Sequence, residues 1–151
     1  DGFLAVFETK TAKSSAKAAL QSIEGIANAL VTFNETLEKE GQGLVKIGIG
    51  AHLGDVVLGE IGAQGQAPRT LIGDAVNTAS RLEGVTKEYK VQAFISDPLL
   101  KAAGVVIPEQ HMTDLVLRGV AAPLPALPIH LDVNLMGHLD ALQVKTAVNA
   151  T

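Results

Sequence analysis

Apolar residues recur at three- and four-residue steps from Ala16 to Leu37, through Ala19, Leu20, Ile23, Ala27, Leu30 and Phe33. That spacing predicts one long amphipathic helix, ended by Gly41-Gln-Gly43. The period then falls to two. Val45, Ile47, Ile49 and Ala51 alternate with Lys46, Gly48, Gly50 and His52, which predicts a half-buried strand. Leu53-Gly54-Asp55 reads as a turn and residues 56–61 as the returning arm of a hairpin, followed by a polar loop over 64–68. Further strands are expected over 2–7, 91–95, 115–117 and 127–133, the last two regions interrupted by Pro123, Pro125 and Pro128. Asp97-Pro98 opens a short helix that ends near Gly104. From Asn134 onward the chain is weakly amphipathic through Leu135, Leu139 and Leu142.

A second helix is expected from Gly73-Asp74, with Ala75, Val76, Ala79, Leu82 and Val85 on its apolar side. Asn77 and Arg81 are four residues apart and therefore share another face. A helix start carrying an amide and a fixed cation outward suits a phosphorylated ligand, because its free N–H groups and dipole also favour anions. On its own, an Asn-x-x-x-Arg spacing describes a surface helix with a solvated arginine.

Composition narrows the class. The 151 residues are 47% hydrophobic but only 3% aromatic, so the core must be aliphatic. The formal net charge of −4, with no basic stretch to offset it, argues against nucleic acid as a partner. There is no cysteine, hence no disulfide framework or thiolate metal site, which suits a cytoplasmic protein. No apolar run approaches membrane-spanning length. The four histidines have no metal-ligand spacing and read as structural or solvated. Gly48-Ile-Gly50-Ala-His-Leu-Gly54 looks like a dinucleotide-binding loop. That motif requires a helix straight after the glycines, and Val56-Val57-Leu58 is strand-like instead. Glycines along one face of a strand mark close approach by a backbone or a ligand.

Four segments in order then carry a resemblance. They are Asp1-Gly-Phe-Leu-Ala-Val-Phe, Ile47-Gly-Ile-Gly-Ala-His-Leu-Gly-Asp-Val-Val-Leu-Gly-Glu-Ile-Gly62, Thr70-Leu-Ile-Gly-Asp-Ala-Val-Asn-Thr-Ala-Ser-Arg-Leu-Glu83 and Leu117-Arg-Gly119. Together they resemble the class III nucleotidyl cyclase catalytic domain, from Asp1 to about Leu131, in a bacterial-type adenylyl subclass. The resemblance implies an α+β fold related to the ferredoxin-like fold, an antiparallel-rich sheet with helices packed on one face. Residues 1–133 would be a partial catalytic domain and 134–151 a helical tail. Family members carry another strand and two helices before the point matching Asp1, so the fragment alone is expected to be inactive.

The resemblance also implies a chemistry, ATP to cyclic AMP and pyrophosphate. Asp1 matches one of two aspartates that bind Mg²⁺ or Mn²⁺, hard cations that take carboxylate oxygens; the other would lie upstream. Asn77 would orient the ribose, and Arg81 would meet charge building on the α-phosphate. Arg118 would sit on the terminal phosphates. Thr70 stands where the family reads the purine, and its hydroxyl can accept from the adenine amino group. The family's strand pair around residues 48–58 lies beside the active site and the dimer contact. Partners would be ATP and a second copy of the chain in a homodimer with shared sites; family members are often attached to a sensor or membrane region, and none is visible in these residues. A different class of function, a catalytically inactive cyclase-like dimerisation or nucleotide-sensing domain, shares the same resemblance.

Overall fold

A computed structural model describes residues 1–60, 69–131 and 134–149, the last six by backbone alone. The polar loop expected at 64–68 and the end of the strand expected to reach 133 lie outside them. Helix α1 spans Ala12–Lys39. Thr11 caps it through a reciprocal box with Ser14: the Ser14 N–H donates to Thr11 Oγ1 at 3.0 Å, and the Thr11 N–H reaches Ser14 Oγ at 3.3 Å. At the other end the Gln42 N–H donates to Leu37 O at 2.8 Å and the Gly41 N–H to Glu38 O at 3.0 Å. This paired closure needs a left-handed residue, and Gly41 has φ +70°. The expected apolar stripe of α1 is buried at Ala16, Ala19, Leu20, Ile23, Ala27 and Leu37, whereas Phe33 is 52% exposed.

Strands β1 (Ile49–Ala51), β4 (Ala93–Ser96), β6 (Leu124–Ile129) and β5 (Thr113–Leu115) form one mixed sheet in the order β1-β4-β6-β5. β1 pairs with β4 in parallel, and the other pairings are antiparallel. β2 (Val57–Glu60) and β3 (Arg69–Ile72) form a separate antiparallel pair, with Gly59 opposite Thr70. α2 (Asp74–Val85) follows β3 through Gly73, and α3 (Asp97–Ala102) follows β4. A single 3-10 turn at Glu109–His111 precedes β5, and α4 (Leu135–Asn149) closes the chain. Gly104, at φ +81°, ends α3 by the same paired closure as Gly41, with Val105 N–H on Leu100 O and Gly104 N–H on Lys101 O.

Several expectations are corrected. Of the arm expected at 56–61, Val57–Glu60 form a strand, but its antiparallel partner is β3, and β1 pairs with β4 instead. Residues 45–48 form no strand, because the Asn34 side chain satisfies Val45 from both sides: Nδ2 donates to Val45 O at 2.9 Å, and the Val45 N–H donates to Oδ1 at 2.8 Å. Residues 2–7 form no strand and pair with no described strand, and of them Phe7 packs against the core. The closing strands shift to Thr113–Leu115 and Leu124–Ile129, and Pro125 and Pro128 lie inside β6.

Both faces of the sheet are covered, not one. Ala93 and Ile95 of β4, with Leu127 and Ile129 of β6, face a core shared with α1, α3 and α4. Phe94 and Ala126 alternate to the opposite face, where they join Leu82 of α2, Leu115 and Leu117. All four residues of β4 are buried, the mark of a central strand between two layers. Leu135, Leu139 and Leu142 of α4 lie in the larger core. Among the described residues no helix is long and apolar enough to cross a membrane.

Candidate active site

The site is built on α2, and glycines fix where α2 lies. A Cβ on Gly50 would fall 2.1 Å from Ala79 O and 2.4 Å from Glu83 N. One on Gly48 would meet Thr86 Oγ1 at 2.5 Å, and one on Gly54 would meet Ala75 Cβ at 2.8 Å. The glycine spacing that mimics a dinucleotide loop is therefore the bed of α2, with the helix backbone pressed on Gly50 and side chains of α2 and Thr86 on Gly48 and Gly54. Of the two readings open for these glycines, close approach by a backbone is the one observed.

With Ala75, Thr78 and Leu82 buried inward, α2 presents Asn77 and Arg81 on an outer flank. Asn77 is exposed and Arg81 half-buried. Leu82 packs with Leu117, and that contact carries the next residues, Arg118 and Gly119, to Arg81. The turn is closed by the Val120 N–H on Leu117 O at 3.1 Å, and Gly119 adopts φ +75°. A Cβ at Gly119 would lie 3.3 Å from each terminal nitrogen of Arg81 and 3.6 Å from Cζ. Arg118 is exposed in this turn, three residues beyond β5 rather than at a strand end. The Arg81 guanidinium thus lies against the turn that carries Arg118, so one corner of the surface bears two fixed positive charges, suited to a polyphosphate.

The other expected residues make no described contact with this corner. Thr70 is half-buried on β3, which runs directly into α2. Asp1 is exposed, and among the described residues no hydrogen bond or ion pair joins it to Asn77, Arg81 or Arg118. Among the described residues no three histidine or acidic side chains gather into a metal-holding group. The Asp1 carboxylate is the right donor for Mg²⁺ but supplies only one ligand.

A cavity of about 130 Å³ opens on the opposite flank of α2, lined by Val76 and Ala79 with Leu4, Phe7, Ala16 and His52. It is apolar and separate from the arginine corner. His52 leaves β1 half-buried, with Nδ1 2.8 Å from Ser96 Oγ. Burial lowers its pKa below the usual imidazole value of 6.5. Nε2 of His111 is buried without a hydrogen-bond partner among the described residues.

Comparison with known proteins decides the family. The family described as "Adenylate and Guanylate cyclase catalytic domain" matches residues 1–101. The chain belongs to this family. It is 32% identical over 124 residues to an adenylate cyclase of Anabaena cylindrica, covering 80% of this chain and 24% of that protein. It is 33% identical over 91 residues to adenylate cyclase 1 of Rhizobium meliloti (strain 1021), covering 60% of this chain and 13% of that one. The chain thus spans a quarter or less of the length of the curated relatives it matches. Among solved structures, the guanylyl cyclase Cya2 is similar with a TM-score of 0.63 at 27% identity, covering 77% of this chain and 58% of that one. The fold is accordingly that of the cyclase catalytic domains, α+β with helices packed on a mixed sheet.

Within this cyclase domain, sequence reasoning placed Asn77 and Arg81 on one helix flank but missed what Arg81 leans on. Leu117-Arg-Gly119 carried the signal, in a glycine directly after an arginine. Nothing local in the sequence ties that glycine to a helix residue 38 positions earlier.

Proposed function

We propose that this chain is the catalytic portion of an adenylyl cyclase, converting ATP to cyclic AMP and pyrophosphate in cytoplasmic cyclic-nucleotide signalling. The observation that carries the reading is the arginine corner: the Arg81 fork rests at the Arg118–Gly119 turn, and Asn77 stands one helical turn away on the same flank. The names of the relatives and the family's chemistry support it.

In the proposed reaction the ribose 3′ oxygen attacks the α-phosphorus. The bond from that phosphorus to the bridging oxygen of pyrophosphate breaks, and the hydroxyl proton passes to solvent. Asn77 holds the ribose so that the attack is close to intramolecular in its entropy cost. Arg81 faces the charge that builds on the α-phosphate, where a permanently charged planar fork is worth more than a flexible ammonium. Arg118 takes the terminal phosphates. Thr70 contacts the purine; its hydroxyl both donates and accepts, so it favours adenine only modestly. Mg²⁺ or Mn²⁺, when bound, supplies charge neutralisation and a more acidic hydroxyl. Asp1 would hold it together with carboxylates from outside these 151 residues. Residues 1–133 form the catalytic unit in this reading, with 134–151 as a helical tail.

That no hydrogen bond or ion pair among the described residues joins Asp1 to Asn77 or Arg81 is compatible with a site completed by a second copy of the chain, Asp1 from one protomer facing Asn77 and Arg81 of its partner. A two-fold dimer then holds two equivalent sites. In the full-length protein, Asp1→Ala and Arg81→Ala should each be nearly inactive. Mixed one to one with free exchange, about half the dimers pair the two variants, and each has one intact site, so activity should return to about a quarter of the parent level. A mixture that stays inactive while labelled chains exchange would place both residues in one chain's own site and end the shared-site reading.

A further inference from the structure

Arg81 makes no hydrogen bond or ion pair with any described residue, yet its terminal nitrogens are equidistant from one point, the position a Cβ would take on Gly119. The fork straddles the one place in the turn where a side chain is missing. Gly119 is left-handed at φ +75°, and the missing position lies against the Arg81 side chain of α2. Leu117 before it and Val120 after it pack with Leu82, so the turn and α2 are clamped at neighbouring residues. The backbone at 119 therefore cannot drift from Arg81 without disturbing the core beneath both.

We propose that Gly119 is a positioning residue for Arg81: the space where its side chain would be is the seat that sets how close the fork lies to the Arg118 turn. This rests on the reading of Arg81 as the residue that meets the reacting phosphate. A Cβ at 3.3 Å from both nitrogens is tighter than ordinary packing, so alanine displaces the fork by a few tenths of an ångström and a longer side chain by more. Misplacement of a catalytic group by about 1 Å costs on the order of a hundredfold in rate.

The turn itself needs a left-handed residue, so the test must separate conformation from seat. Asparagine tolerates the left-handed region and fills the seat. In the full-length protein, Gly119→Asn should lower kcat about ten- to a hundredfold with KM for ATP nearly unchanged. In an Arg81→Lys background, which has no planar fork to displace, the same change should cost less than about threefold. A second readout follows the seat without turnover: the Arg81 side-chain Nε–H resonance, assigned by its loss in Arg81→Lys, should shift in Gly119→Asn. A folded Gly119→Asn protein with parental kcat, or an equal loss in the lysine background, overturns the proposal. So does an unmoved Arg81 resonance. Retention of activity by Arg81→Ala would instead refute the catalytic reading of Arg81, and the resonance would still judge the seat.

Discussion

The two flanks of α2 are built on opposite terms. The inner flank rests on Gly48, Gly50 and Gly54, which leave no room for even a methyl group, and at Gly50 the helix backbone itself is what a methyl would strike. The outer flank carries Asn77 and Arg81, held by the helix and by contact with a single turn. One side is over-determined, and the other is left open to accept something. A protein that must grip a charged substrate needs both: a helix that cannot shift and side chains free to engage.

The sharpest way to break this contrast is to intrude on the inner flank. Gly50→Val should force α2 off β1, because the added atoms meet Ala79 O and Glu83 N rather than a movable side chain. We expect a loss of at least about 3 kcal/mol, read as a lower urea midpoint, with activity lost alongside it. A parental midpoint would mean that α2 does not sit where these glycines place it. The outer flank should respond in the reverse manner. Arg81→Ala should reduce kcat about 10²–10³-fold, while stability stays within about 1 kcal/mol of the parent. If the urea midpoint falls as steeply as the rate, Arg81 is part of the framework and the contrast between the flanks dissolves.

Much of the outer flank was legible before the fold was known, since Asn77 and Arg81 need only helical periodicity to share a face. The inner flank was half legible. Alternating glycines announced close approach, but β1 has its partner β4 in parallel and far along the chain, and parallel pairing leaves no turn to read. Leu53-Gly54-Asp55 has turn chemistry and so suggested a local hairpin. Gly54 is small there because Ala75 lies against it. Residues 45–48 alternate like a strand, yet the Asn34 side chain takes both backbone groups of Val45, a side-chain bond that no period reveals. The apolar run at 2–7 had a strand's composition without a neighbour to pair with.

The smallest expected effect refines the inner side. His52 is favoured as the neutral imidazole by burial, beside Ser96. Its folded-state pKa lies below 6.5, so as pH falls past 6.5 the unfolded chain binds the proton first. Stability contributed by the neutral ring is whole above that pH and declines below it, down to the folded-state pKa. Subtracting the urea-derived stability of His52→Gln from that of the parent, between pH 8 and 5, should leave a component that falls toward acid. A difference that is flat across this range would show that burial of His52 does not govern its protonation.

The parallel register of Ile49 with Ala93, reinforced by His52 on Ser96 across 44 residues, also sets an order of events. Everything that carries the proposed chemistry between them, from β2 through Thr70, Asn77 and Arg81, is a loop whose two ends must find each other before it has a floor to lie on. Helix α2 can form early from local contacts, and β2 can meet β3 across their own connection. The glycine bed exists only after two distant strands have met, and closing so long a loop is among the slower steps a small domain takes. Acquisition of the active geometry is thereby tied to a contact between distant parts of the chain, and a nascent chain released before β4 has emerged holds the catalytic helix without the surface that aims it.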